Sequence, residues 1–410
     1  SHFKSFLYKN KTTTKYLICD ILEKIHIEYF GRENNMIKPA FNENYSAIAI
    51  NCSNEYVPYL AVCLKSLVDN TSKDHNYDII ICEKCISDEN KKALSDFISR
   101  DNVSIRFINI GEMLAGETFP DIFPGYTIES YAILFTPKLF ENYERMLFTD
   151  CDLIFTEDIK ELYHIDLEGK MACAVRDLTM SMLVASDDKI WEKHVFEELE
   201  LKDADEYFNS GVMVYDIQKC KEADFTKNTL EIAKVPQRIF IQGILNKFYQ
   251  GQNIKYMDNK FNLDLIASHE KYLYDNFMDE KHRELYQKAF SHPHVLHWAG
   301  IGKPWFYIDE TVAYKWWDIA RQTPFYETIL VRYIIHKESQ ITNAINEAVH
   351  NKELELRTEF KCALDYKKNL RKYIKARILY NLTFGKKREH YKQKKVLLRS
   401  KLEIAKRLIG

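Results

Sequence analysis

Segments of strand length rich in apolar residues recur along much of the chain: Ser46-Ala-Ile-Ala-Ile50, Tyr77–Cys82, Val103–Ile108, Met146–Phe148, Met171–Val175, Tyr207–Tyr215 and Val295–Trp298. Between the early runs lie stretches of helical period. Tyr59, Val62, Cys63, Ser66 and Leu67 share one face, and Ser87 stands where a helix cap belongs, with Asn90 three residues on. A longer helix is expected over Tyr126–Asn142, interrupted near Pro137, and another over Gln237–Tyr249. Strands apolar on both faces, alternating with helices, predict a mostly parallel α/β sheet. From about Glu310 the pattern turns wholly helical, with Trp316, Trp317, Ile319 and Ala320 ahead of Pro324. The expected organisation is therefore an N-terminal extension over 1–44, with a helix at Tyr16–Phe30, an α/β domain over 45–312, and a helical domain over 313–410.

Charge changes the picture at one end. The net charge of −2 conceals sixteen Lys/Arg against two acids from Tyr366 onward. That segment carries +14, and the remainder −16. Val396, Leu398, Leu402, Ala405 and Ile409 recur among Lys394, Lys395, Arg399, Lys401, Lys406 and Arg407, which reads as a basic amphipathic helix. Near an anionic leaflet each such cation contributes on the order of 1 kcal/mol, so the tail is expected to attach the protein to an anionic membrane surface. Packing on the body is the other use of such a helix. Nucleic acid is not expected, because no aromatic platform accompanies the charge. The first thirty residues hold no apolar run long enough for a signal peptide or a span. The nine cysteines include one isolated Cys82-x-x-Cys85 pair and form no framework, as expected of reduced thiols in the cytoplasm.

The chemistry concentrates in Arg145-Met-Leu-Phe-Thr-Asp150-Cys-Asp152-Leu-Ile-Phe155. An apolar strand runs into two carboxylates one residue apart, which a strand would point to the same side. Like charges so placed call for a cation between them, and hard oxygens suit Mg or Mn. Asp203-Ala-Asp205 has the same spacing but no apolar strand leading in, and is expected at the surface. His297 follows the last apolar strand and precedes Gly300, Gly302, Lys303 and Pro304. Glycines let backbone N–H groups approach an anion, and the lysine adds a point charge for phosphate. A satisfied core histidine would have no need of that clamp.

Taken in order, Asn51-Cys-Ser-Asn-Glu-Tyr56, Phe148-Thr-Asp150-Cys-Asp152, Asn209-Ser-Gly211, Gln242 and His297-Trp-Ala-Gly300-Ile-Gly-Lys303-Pro-Trp305 resemble the family-eight retaining glycosyltransferases, over roughly residues 46–306. With its basic tail the layout looks most like the accessory transferases of Gram-positive bacteria that extend O-glycans on serine-rich-repeat adhesins. The resemblance implies a GT-A fold, a Rossmann-like, mostly parallel sheet flanked by helices. It implies transfer of a hexose, galactose before glucose, from a UDP-sugar to a glycan on a glycoprotein at the cytoplasmic face of the membrane. Mn, with Mg as the alternative, would be held by Asp150, Asp152 and His297. Lys303 and the Gly300 backbone would steady the β-phosphate. Asn51, Cys52, Ser53 and Tyr56 would hold uridine, with Cys151 beside them. Asn209, Ser210 and Gly211 would line the donor sugar, and Gln242 would face the anomeric carbon. Gln242, Asp152 and Asn209 would thus stand nearest the chemistry. No carboxylate is in evidence for a covalent intermediate, so same-face attack is the expected route to retention.

Some positions depart from the family pattern. Ile241 and Gly243 flank Gln242 where the family often has acids, and Asp177 or Asp264 is expected to supply the missing sugar contact. Ile133 follows Tyr131-Ala132 where an arginine is common, and Ser53 and Asn54 partly replace acidic uridine contacts. These departures also admit a function of another class, a catalytically weak GT-A domain acting as a partner in a glycosylation complex.

Overall fold

The computed structural model describes residues 37–115, 117, 119, 127–236, 238–382 and 386–409. The expected helix at Tyr16–Phe30 lies outside them. The chain forms two compact units, Ser1–Val331 and Arg332–Gly410.

The first unit is built on a seven-stranded sheet in the order β3-β2-β1-β4-β7-β6-β8. Its strands are β1 Tyr45–Asn51, β2 Asn76–Glu83, β3 Val103–Asn109, β4 Arg145–Thr149, β6 Ala172–Arg176, β7 Phe208–Asp216 and β8 Ile254–Met257. β1 runs parallel to both β2 and β4, and β2 to β3. β7 is antiparallel to β4 and β6. Ala47–Ile50 and Ile79–Cys82 are wholly buried, which is why these strands read as unbroken apolar runs rather than alternating ones. Helix α1, Val57–Asp69, follows β1, and α2, Asp88–Phe97, follows β2. Ser87 caps α2 by accepting the Asn90 N–H. The helix expected over Tyr126–Asn142 is instead a 3-10 turn at Ile128–Phe135 followed by a short α-turn at Thr136–Leu139. Pro137 lies in the first turn of that α segment, where its missing N–H costs no helical bond.

A second sheet joins β5, Leu153–Phe155, to β10, Val295–His297, and β9, Leu263–Asp264, in the order β5-β10-β9. The expected boundary at 312–313 falls short of the observed one. Helix Ala313–Ala320 belongs to the first unit, and its buried Trp316 lies 5.5 Å from Trp305 and 6.3 Å from Tyr59, ring centre to ring centre. Those tryptophans anchor it where its helical period alone suggested the next domain.

The second unit comprises most of helix Tyr326–Leu382 and helix Lys386–Ile409. In the latter, Leu398 is 7% exposed while Val396 and Leu397 are 60% and 58% exposed. The apolar stripe read from sequence is thereby corrected, since residues two apart on a helix lie about 200° apart. None of the described helices is long and apolar enough to cross a membrane.

Candidate active site

Asp150 and Asp152 sit in the crossing between the two sheets. They do not alternate along one strand, as the sequence suggested: β4 stops at Thr149, and β5 leaves to pair with β10. The crossing is pinned at both ends. The Asp150 N–H donates to the Gly211 carbonyl at 2.8 Å, and the Trp298 N–H donates to the Asp152 carbonyl at 3.2 Å. The β5–β10 register places His297 opposite Leu153, so the imidazole arrives beside Asp152.

His297 Nε2 lies 3.1 Å from Asp152 Oδ1 and 3.8 Å from Asp150 Oδ2. One ligand atom from each of the three residues falls within 4.8 Å of the others. Two carboxylates and an imidazole fit a hard or borderline divalent ion such as Mg or Mn. The electrostatics fit as well. Burial and the neighbouring Asp152 charge push the Asp150 carboxyl up to about 6. Burial would raise Asp152 too, but Lys303 and His297 outweigh it and hold that carboxyl below its usual range. The Asp152 charge likewise outweighs burial at His297 and raises its pKa. Lys303 pairs with Asp152 Oδ2 and donates to the Trp298 carbonyl at 2.7 Å. Strand β7 passes so close that a Cβ on Gly211 would lie 2.3 Å from His297 Cε1 and 2.9 Å from Asp150 Oδ2. Only glycine fits there.

At one end of the cleft lie polar atoms that lack partners. Asn51 Oδ1, Ser53 Oγ and Thr149 Oγ1 are buried without a hydrogen bond, at or just beyond the carboxyl ends of β1 and β4. Such atoms cost free energy unless a ligand or water satisfies them, and ligands bind at this edge of open α/β sheets. Cys52 and Cys151 are buried free thiols near this edge. Tyr56 stands edge-on to Trp305 at 6.1 Å, and Trp305 stacks on Tyr59 at 4.0 Å. Asn54 is committed elsewhere, accepting from Ser87 N–H and the Asn90 amide. Gly300 adopts φ +65°, with nothing within 4 Å of where a Cβ would be.

On the other side of the triad, Gln242 lies near the start of helix Phe240–Tyr249. One turn on, Asn246 bonds both the N–H and the carbonyl of Phe208, which fixes the helix against β7. Gln242 Oε1 accepts the Ser210 N–H at 3.0 Å, and Nε2 donates to Asp177 Oδ2 at 2.8 Å. Asp177 also caps the helix Leu178–Ala185. Burial raises its pKa, and burial with the Asp177 charge pushes Asp264 up to about 7. Thr179 donates to Asp264 at 3.1 Å. Of the two acids named as replacements, Asp177 touches Gln242 directly, and Asp264 lies near enough to Asp177 to feel its charge.

The control pair behaves otherwise. Asp203 caps a 3-10 turn, and Asp205 pairs with Lys281 and His282. Sequence reading missed Asn262, fully buried, whose Oδ1 lies 2.9 Å from His297 Nδ1. It lies thirty-five residues from its partner and in no motif, so no sequence signal marked it.

Residues 47–309 match the family model described as glycosyl transferase family 8. A putative glycosyltransferase of Haemophilus influenzae is 26% identical over 210 residues, 50% of this chain and 60% of that protein. A probable galacturonosyltransferase-like protein of Arabidopsis thaliana is 29% identical over 171 residues, 40% of this chain and 46% of that one. The chain spans about half the length of these relatives. Among solved structures, the galactosyltransferase LgtC in complex with donor and acceptor sugar analogues superposes with a TM-score of 0.53 at 22% identity, over 68% of this chain and 96% of that one.

Proposed function

The chain belongs to glycosyl transferase family 8, and we propose that it is a retaining hexosyltransferase that moves galactose from UDP-galactose to a glycan on a glycoprotein. Its fold is GT-A. The observation that carries the reading is the convergence of Asp150, Asp152 and His297 within 4.8 Å, with Lys303 on their rim.

A divalent ion held by that triad, Mn in our reading, would stabilise the negative charge that grows on the leaving diphosphate. Lys303 adds a second positive charge on the same side. The unpartnered Asn51, Ser53 and Thr149 atoms accept and donate to the uracil ring, and Tyr56 covers it. Ser210 and Asp177 fix the Gln242 amide against the sugar. The acceptor hydroxyl attacks the anomeric carbon from the face the diphosphate leaves, losing its proton to the leaving phosphate.

The Asp177 carboxylate, hydrogen-bonded to Gln242, accepts hydrogen bonds from the hydroxyls of a neutral hexose and repels a donor bearing a C6 carboxylate. Glucose is the nearest alternative donor. The residues flanking Gln242 favour the weak-domain reading, and the Asp177 contact weighs against it. Exposed cations, among them Lys392 and Arg399 at 57% and 72% exposure, attach the chain to the inner, cytoplasmic face of an anionic membrane.

The test is UDP release from UDP-galactose and UDP-glucose with Mn and a glycan acceptor, compared with Asp152→Ala. Turnover lost in the variant supports the reading. Turnover that survives rejects the metal site, and tight UDP binding with no turnover on any acceptor favours the silent domain.

A further inference from the structure

Three side chains behind the triad form a chain of hydrogen bonds whose direction is fixed from one end. The Gly211 N–H faces Asn209 Oδ1 at 2.9 Å. A backbone N–H can only donate, so that side-chain atom is an oxygen. Asn262 Nδ2 approaches the same oxygen at 2.9 Å and must therefore be the amide nitrogen. The other end of that amide, Oδ1, then faces His297 Nδ1 at 2.9 Å and can only accept. Nδ1 therefore carries a hydrogen, and Nε2, which meets the Asp152 carboxylate at 3.1 Å and Asp150 at 3.8 Å, is the nitrogen whose lone pair a cation would take.

We infer that Asn262, with Asn209 behind it, is a positioning residue that sets the His297 tautomer and aims Nε2 at the cation site before any ion arrives. The inference rests on the metal reading above but adds residues to it. Asn262 is fully buried and Asn209 nearly so, so water does not compete for these bonds. Strand β7 supplies the Gly211 N–H, and the turn before β9 supplies Asn262. The relay therefore ties the main sheet to the small sheet through the ligand they share. Asn209 is doubly committed: its oxygen already accepts two bonds within the protein, which restricts it to its amide hydrogens for any contact with the sugar.

Imidazole 15N spectra of the metal-free protein test this without any variant. The His297 signals are expected to report a hydrogen on Nδ1, and a ring protonated on Nε2 alone overturns the inference. Asn262→Leu is expected to lose that tautomer and to lower Mn affinity about ten- to hundredfold by calorimetry. Asn262→Asp, which keeps an acceptor at Nδ1, is expected to hold both within a few-fold of the parent. An Asn262→Leu protein that keeps the parent tautomer and affinity overturns the inference. If the parent protein binds no Mn at all, the metal reading fails, while the spectra still decide the tautomer.

Discussion

Lys303 and Asp152, 151 residues apart in sequence, face each other as an ion pair in the cleft, and the lysine also donates to the Trp298 carbonyl. Without an ion or nucleotide, the ammonium and His297 are what keep Asp152 ionised. A bound divalent ion would compete with the lysine for this carboxylate, and a diphosphate would engage both. Lys303→Ala is therefore expected to bind Mn at least as tightly as the parent in the absence of nucleotide, yet to lose about 10²- to 10³-fold in kcat/KM. Calorimetry and UDP-release kinetics check the two halves. Weaker ion binding in the variant would show that Lys303 supports the ion rather than competing with it.

Gly211 is the second sensitive point. Its missing Cβ makes room for His297 and Asp150. Gly211→Ala forces one of them aside. We expect about 1–3 kcal/mol of lost stability and at least tenfold weaker Mn binding, read by thermal unfolding and calorimetry on the same sample.

Much of this was legible in the chain, and the limits have physical causes. β1 and β2 are buried on both faces, so unbroken apolar runs announced them. The acidic pair was found by spacing, yet the reason for its convergence was different: the strand ends at Thr149, and hydrogen bonds to Gly211 and Trp298 do what alternation was expected to do. Asn262 could not be found, because a positioning amide needs no periodicity and its partner comes from a distant strand. Helix Ala313–Ala320 was assigned to the tail, because helical period reports a helix and not what Trp316 packs against. Val396 and Leu398 were joined in one stripe, although only the burial of Leu398 shows which face turns inward.

In the proposed reading, donor choice rests on Asp177 beside Gln242. UDP-galactose or UDP-glucose is expected to be used at least about 100-fold better than UDP-galacturonate, a gap of about 2.7 kcal/mol. Asp177→Asn is expected to narrow that gap while lowering turnover with the neutral donor. Competition assays with the three nucleotide sugars check this. Equal use of the uronate by the parent protein would contradict the placement of the Asp177 carboxylate at the sugar.

Asp205 provides the contrast. Burial would raise its pKa, but Lys281 and His282 outweigh that and hold it below the usual range. A depressed folded pKa gives stability that is present above the unfolded value of about 3.9 and lost as pH falls through the folded value. Asp205→Asn is expected to cost about 1 kcal/mol at pH 7, to lose that difference progressively as pH falls below about 3.9, and to leave turnover unchanged. Denaturant unfolding across that pH range, with a UDP-release assay, checks all three.

The basic helices carry a separate expectation. The full chain should sediment with vesicles containing anionic lipid, and release at high salt. Truncation after Tyr366 should abolish this without loss of turnover on a soluble acceptor. Equal binding by the truncated protein would remove the tail from the account.

The central claim is that two carboxylates and one imidazole grip a single ion against a nucleotide diphosphate. Anomalous diffraction from crystals grown with Mn and UDP tests it most directly. The account predicts one Mn peak within about 2.5 Å of Asp150, Asp152 and His297 Nε2 together, with Lys303 turned toward the β-phosphate. Bound UDP with no Mn peak there, or a peak that His297 does not reach, would contradict it.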